Sequence, residues 1–182
     1  MHILIVGARH VGKSTLIRRV LSALQRPVYG FETVKEDGLE TAENGSPIYI
    51  YPAGGAHVQR KDNLVGYCKD NRATTIAGTF DRWADRISAP PEGHIVLLDE
   101  IGFMESKSPR FMEAILRLLD GPVPVIASVK HNSMPFLDAV RAHPGCRCFF
   151  ITEENRDALA QEVIAFAAAQ LAEYEERKEE FR

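Results

Sequence analysis

Residues Gly7 to Ser14 read GARHVGKS, a full match to the spacing G-x-x-x-x-G-K-[ST]. Each fixed position has a part in gripping a polyphosphate. Gly7 and Gly12 let the backbone wrap closely around phosphate oxygens. The peptide groups of Ala8, Arg9, His10 and Val11, with those of Lys13, Ser14 and Thr15 where a helix begins, offer N–H donors to the anion. Lys13 brings positive charge to the β- and γ-phosphates, and Ser14 offers a hydroxyl to Mg²⁺. Far along the chain, the apolar run Ile95-Val96-Leu97-Leu98 ends in Asp99-Glu100. A carboxylate at the end of a buried parallel strand can hold Mg²⁺, usually through water, which is the part expected of Asp99. The next acid, Glu100, is the candidate general base. It has only to orient water and accept its proton late in a loose transition state. The competing reading of Glu100 is a structural ion pair or a helix cap.

These residues work only if the chain delivers them to one place. His2 to Val6 is an apolar run short enough for a buried strand, and Thr15 to Leu21 continues as a helix. Strand, glycine-rich turn and helix is the context in which the loop functions. Strand and helix patterns then alternate, which implies a mostly parallel sheet, right-handed crossovers and a three-layer α/β/α domain spanning residues 1–182. The site is expected at the C-terminal edge of the strands. Val28 to Val34 reads as a second strand and Pro47 to Pro52 as a strand with alternating faces, part of a β-hairpin excursion. Gly54 to Asn71 reads as an irregular loop. Ile76, Phe80, Trp83 and Ile87 recur at helical spacing over residues 74–87, and core packing is the expected use of that stripe. Ser108-Pro109 is a helix start with a capping hydroxyl and proline at the first position. Val123 to Val129 and Cys146 to Ile151 complete the strands, with a short helix, Pro135 to Ala142, between them. A last helix from near Glu153 carries a charged end at residues 173–182.

Composition sets wide bounds. The chain has 182 residues, 45% hydrophobic and 26% charged, with a net charge of −3. That is ordinary for a globular protein and gives no broad basic field for nucleic acid. No apolar run approaches the roughly 20 residues of a membrane helix. The first strand begins at His2, which leaves no room for a signal peptide, so a cytoplasmic location is expected. A monomer is favoured. Three cysteines argue for free, buried thiols, and Cys146-Arg147-Cys148 lacks the spacing of a zinc knuckle. Ser128 and Lys130 end the strand after Asp99. A polar sensor at Ser128 and ordinary strand termination are equally open readings, and Lys130 could add charge. No N-K-x-D segment is present, so strict guanine specificity is not supported.

Further along, Asp99-Glu100-Ile101-Gly102, Met104-Glu105, Ser108 and Phe111 resemble the D-E-I-G-x-M-E…S…F block of the THEP1-like nucleoside-triphosphatases. Gly30, Phe31 and Thr33 resemble that family's G-F-x-T strand. Thr152, Glu154, Asn155 and Arg156 match its C-terminal block. The resemblance implies Mg²⁺-dependent hydrolysis of ATP, GTP and other nucleoside triphosphates with broad base tolerance, on a compact RecA-like P-loop core. Gly7, Gly12, Lys13, Ser14, Asp99 and Glu100 carry over position by position. Two positions depart: Phe103 stands where the family commonly has lysine, and Asp37 stands where a basic residue usually follows the G-F-x-T strand, with Lys35 nearby. Two other classes stay open. A nucleotide or small-molecule kinase would need an acceptor pocket and a basic lid, for which Arg60-Lys61 and Lys69 to Arg72 are candidates. A nucleotide-dependent switch would bind without turnover.

Overall fold

The computed structural model describes residues 1–180, and residues 181 and 182 of the expected charged helix end lie outside them. Eight strands form one sheet in the order β5-β4-β3-β2-β6-β7-β1-β8. The strands are β1 (His2–Gly7), β2 (Val28–Lys35), β3 (Ser46–Pro52), β4 (Leu64–Lys69), β5 (Arg72–Thr75), β6 (Ile95–Ile101), β7 (Val125–Lys130) and β8 (Cys146–Phe150). The five strands from β2 to β8 in that order pair in parallel, and β3, β4 and β5 continue the sheet antiparallel.

Alternation along β1 shows why a sheet this apolar needs helices on both faces. Leu4 and Val6 point into a core shared with α2 (Thr79–Ile87), α3 (Pro109–Asp120) and α4 (Pro135–Arg141). Ile3 and Ile5 point into a second core, which Leu16, Ile17 and Val20 of α1 (Lys13–Leu24) fill together with Ala160, Val163 and Ala167 of α5 (Arg156–Glu180). Buried on both sides, the strands read as continuous apolar runs. The larger core holds an aromatic stack, with the Phe111 ring 5.2 Å from Phe31 and 5.0 Å from Phe80. The expected three layers and mostly parallel sheet are present.

Three expectations change. The excursion is larger than a hairpin, because β4 lies within the segment expected to be irregular and β5 pairs with it. Asp70 and Asn71 make the tight turn between them, both with positive φ, at 51° and 60°. The helix expected from Thr74 begins only at Thr79. Thr74 and Thr75 are β-branched and extended against β4, Gly78 turns the chain at φ 82°, and Ile76 is left exposed. Cys146 and Cys148 are free but only partly buried.

Candidate active site

The parallel pairing brings the C-terminal ends of β1, β7, β6 and β2 to one edge of the sheet. A cleft of about 470 Å³ opens there. Helix α1 starts at this edge without a side-chain cap and without an acid in its first turn, so its first N–H groups are free for an anion. Gly12 caps it at φ 104°, a conformation open to glycine. Gly7 is required for a different reason: a Cβ there would lie 2.7 Å from the Ile151 carbonyl oxygen.

Arg9, His10, Gly12, Lys13, Ser14, Thr15, Asp99 and Glu100 all line the cleft. Gly7 and Ala8 contribute their carbonyl oxygens, which accept from Lys13 Nζ at 3.1 and 2.8 Å. Val11 turns its side chain into the core beside α1 and leaves only its backbone to the loop. The Lys13 ammonium also lies 3.0 Å from Glu100 Oε2, while Lys130 Nζ lies 3.1 Å from Glu100 Oε1. Glu100 therefore faces the cleft and is ion-paired through both of its oxygens.

Two consecutive residues of a strand normally point to opposite faces. Here the register of β6 on β7 shifts between Leu98, opposite Ala127, and Ile101, opposite Val129. The extra residue is a bulge, the device by which strands re-aim side chains beside active sites, and it accompanies both Asp99 and Glu100 lining the cleft. The Asp99–Glu100 peptide is cis.

Asp99 is half-buried, and desolvation raises its pKa, opposed by hydrogen bonds from Ser128 and Ser14. Ser128, fully buried, donates to Asp99 Oδ1 and does not line the cleft. The oxygens lining the cleft near the loop include the Asp99 carboxylate and the Ser14 hydroxyl. Hard oxygens beside a phosphate-gripping loop fit a small hard divalent ion that keeps several waters, and a partly desolvated carboxylate gains from such a neighbour. Among the described residues no group of three or more His, Cys, Asp or Glu forms a protein-only metal cage.

Glu105 is a site residue that motif spacing does not single out. It follows β6 in a 3-10 turn (Glu105–Lys107), lines the cleft, and is only 3% exposed. Its Oε2 accepts the Gly102 N–H at 2.8 Å. Burial raises its pKa from 4.5 to about 7, against the pull of its hydrogen bonds and of Lys130. Its place in the D-E-I-G-x-M-E block is the one signal of it in the sequence. Thr33, Lys35, Cys68, Asn71 and Met104 complete the wall on the antiparallel side. Lys35 pairs with Asp37 at 2.7 Å, so the departure at position 37 leaves a neutralised pair. Phe103 lies outside the cleft lining, 40% exposed, with Lys107 Nζ 4.5 Å from its ring centre. The candidate lid lysine Lys69 donates to the carbonyls of Ala42 and Glu43, away from the cleft.

A family model described as NTPase matches residues 2–164. The nucleoside-triphosphatase THEP1 of Thermotoga petrophila is 30% identical over 179 residues, covering 90% of this chain and 91% of that protein. The cancer-related nucleoside-triphosphatase homolog of the mouse is 25% identical, covering 90% and 95%. Among solved structures, THEP1 from Aquifex aeolicus superposes with a TM-score of 0.62 at 23% identity, over 92% of this chain and 99% of that one. A human cancer-related nucleoside triphosphatase gives 0.64 at 20% identity, over 92% and 97%. At these identities the two structures speak for the fold.

Proposed function

Because the chain belongs to the NTPase family, whose model spans residues 2–164, we propose that its cleft hydrolyses Mg²⁺-bound ATP, GTP and other nucleoside triphosphates with broad base tolerance. The protein is a nucleoside-triphosphate hydrolase, and the finer reading concerns its metal, its bases and its residues. One observation carries the assignment of roles: Lys13, Glu100 and Asp99 meet at the strand edge that ends in the GARHVGKS loop, with Lys13 and Glu100 3.0 Å apart.

In this reading the N–H groups of residues 8–15 cradle the phosphates. Lys13 exchanges Glu100 for the β- and γ-phosphate oxygens. Ser14 and Asp99 would hold Mg²⁺, which would supply positive charge against the negative charge of the β- and γ-phosphates. Glu100, released from Lys13, orients a water against the γ-phosphorus and takes its proton. The new P–O bond comes from that water, and the bond from the γ-phosphorus to the β–γ bridging oxygen breaks, giving inorganic phosphate and the nucleoside diphosphate. Base tolerance is supported by a grip made through phosphate contacts and by the absence of an N-K-x-D segment. The same reading takes residues 1–182 as one hydrolytic unit acting as a cytoplasmic monomer. No helix of the described residues is long and apolar enough to cross a membrane.

The test is phosphate release from ATP, GTP, CTP and UTP with Mg²⁺, in wild type, Glu100→Gln and Lys13→Ala. Release from several nucleotides should fall about 100-fold or more in Glu100→Gln with nucleotide binding retained. Lys13→Ala should lose binding as well. Wild type that binds Mg·NTP without releasing phosphate, or that forms nucleoside diphosphate only when an acceptor is added, would overturn the reading.

A further inference from the structure

Glu100 has two lysines, one on each oxygen, and they come from different parts of the fold. Lys13, on Oε2, belongs to the phosphate-gripping loop and also donates to the carbonyls of Gly7 and Ala8. Lys130, on Oε1, is the last residue of β7, where the parallel register sets it opposite Gly7. The stem of Lys130 crosses the face of Gly102 so closely that a Cβ there would lie 2.9 Å from its Cδ and 3.3 Å from its Cε. Among the described residues Glu100 is the only carboxylate within ion-pair distance of Lys130. From this geometry we infer that Lys130 is a positioning residue, which anchors Oε1 of Glu100 while the arrival of phosphate frees Oε2.

The inference rests on Glu100 as the base. Its physical content is the asymmetry of the two pairs. A phosphate anion competes for Lys13, which sits among the loop donors. Lys130 also lines the cleft, but it comes from β7 and its stem is backed by Gly102, and on this inference it keeps its partner. A carboxylate that must receive a proton needs one oxygen free and the other held. With both oxygens free it rotates, and the attacking water loses its aim. Misplacement by about 1 Å costs about 100-fold in rate. Of the other charged groups of the cleft, Asp99 is tied to Ser128, Glu105 to the Gly102 N–H and Lys35 to Asp37, while Arg9 faces Asn71 Oδ1 at 3.5 Å.

The experiment is a double-mutant cycle on full-length protein, with Lys130→Met, Lys130→Arg, Glu100→Gln and the Lys130→Met/Glu100→Gln pair. For each, kcat and KM for Mg·ATP come from phosphate release, binding from a fluorescent ATP analogue, and folding from thermal melts. Lys130→Met should lower kcat about 10- to 100-fold with KM and binding within about threefold of wild type. Lys130→Arg should recover most of the rate. In the Glu100→Gln background, adding Lys130→Met should change the residual rate less than about twofold, since nothing remains to be positioned. Equal losses in both backgrounds, a rise in KM in place of a fall in kcat, or an unchanged kcat would each overturn the proposal. A Glu100→Gln protein with wild-type kcat would instead show that the base assignment itself had failed.

Discussion

Replacing Glu105 by Gln should stabilise the protein at pH 8 and not at pH 5. The Glu105 carboxyl is 3% exposed, with the Gly102 N–H donating to Oε2 at 2.8 Å and the Thr33 hydroxyl at 3.5 Å from Oε1. Burial raises its pKa from 4.5 to about 7, Glu100 adding to the rise and Lys130 opposing it. An acid whose folded-state pKa lies above its unfolded value holds its proton more tightly when folded. Folding stability therefore declines as pH rises from about 4.5 to about 7, and levels off above that. At about 1.4 kcal/mol per pH unit, ionised Glu105 costs about 3 kcal/mol at pH 8. Glutamine keeps the shape and an acceptor for Gly102 but buries an amide short of partners, at about 1 kcal/mol at every pH. Wild type has already lost most of about 1 kcal/mol at pH 5, so the variant should be about as stable as wild type there and about 2 kcal/mol more stable at pH 8. Urea unfolding of both proteins from pH 5 to pH 8 measures this, and the midpoint difference should swing by about 1 M. His2, whose pKa burial lowers, and Asp99, whose pKa burial raises, titrate in both proteins and cancel in the difference. A stability difference that stays constant across the range would refute the reasoning.

Other outcomes follow from single contacts. Ser108→Ala removes both the hydroxyl that accepts the Phe111 N–H at the start of α3 and its bond to Asp81; denaturant unfolding should show a loss of about 1–2 kcal/mol. Gly102→Ala pushes the Lys130 stem aside, so phosphate release should fall about 10-fold or more while the melting temperature changes little. Gly30→Ala sets a Cβ 2.1 Å from the Leu97 carbonyl oxygen at φ 121°; expression as folded protein, read by circular dichroism, should fail. Removing divalent metal with a chelator should abolish phosphate release, and Mg²⁺ added back should restore it.

The parts of this site whose geometry is local are legible in the sequence. A glycine-rich loop needs only its neighbours to be recognisable, and Ser108-Pro109 caps its helix as residue types demand. Asp99 and Glu100 stand out because a buried parallel strand is apolar along its whole length. The antiparallel wall gives no such sign. β4 has the mixed sequence LVGYCK, its turn is Asp70-Asn71 with no glycine, and its pairing with β3 carries a register shift. The helical spacing of Ile76 with Phe80 is genuine as a pattern, but pairing of Thr74 and Thr75 with β4 overrides it. Glu105 becomes a cleft residue only through the turn that folds it back beneath Gly102, and Lys130 is placed only by the crossing of its stem over that same glycine. Neither relation is written in spacing.

The ion pair between Lys13 and Glu100 has a consequence for affinity. If Lys13 grips the γ-phosphate as proposed, the Glu100 carboxylate is a tethered anion already in that seat, 3.0 Å from the lysine. Being attached, it competes at a high effective concentration that dilution cannot lower. The enzyme thus carries its own competitive inhibitor, and that inhibitor is the group proposed to drive the reaction once displaced. Neutralising Glu100 removes the competitor together with the base, so the variant slowest in turnover should also hold nucleotide more tightly than wild type.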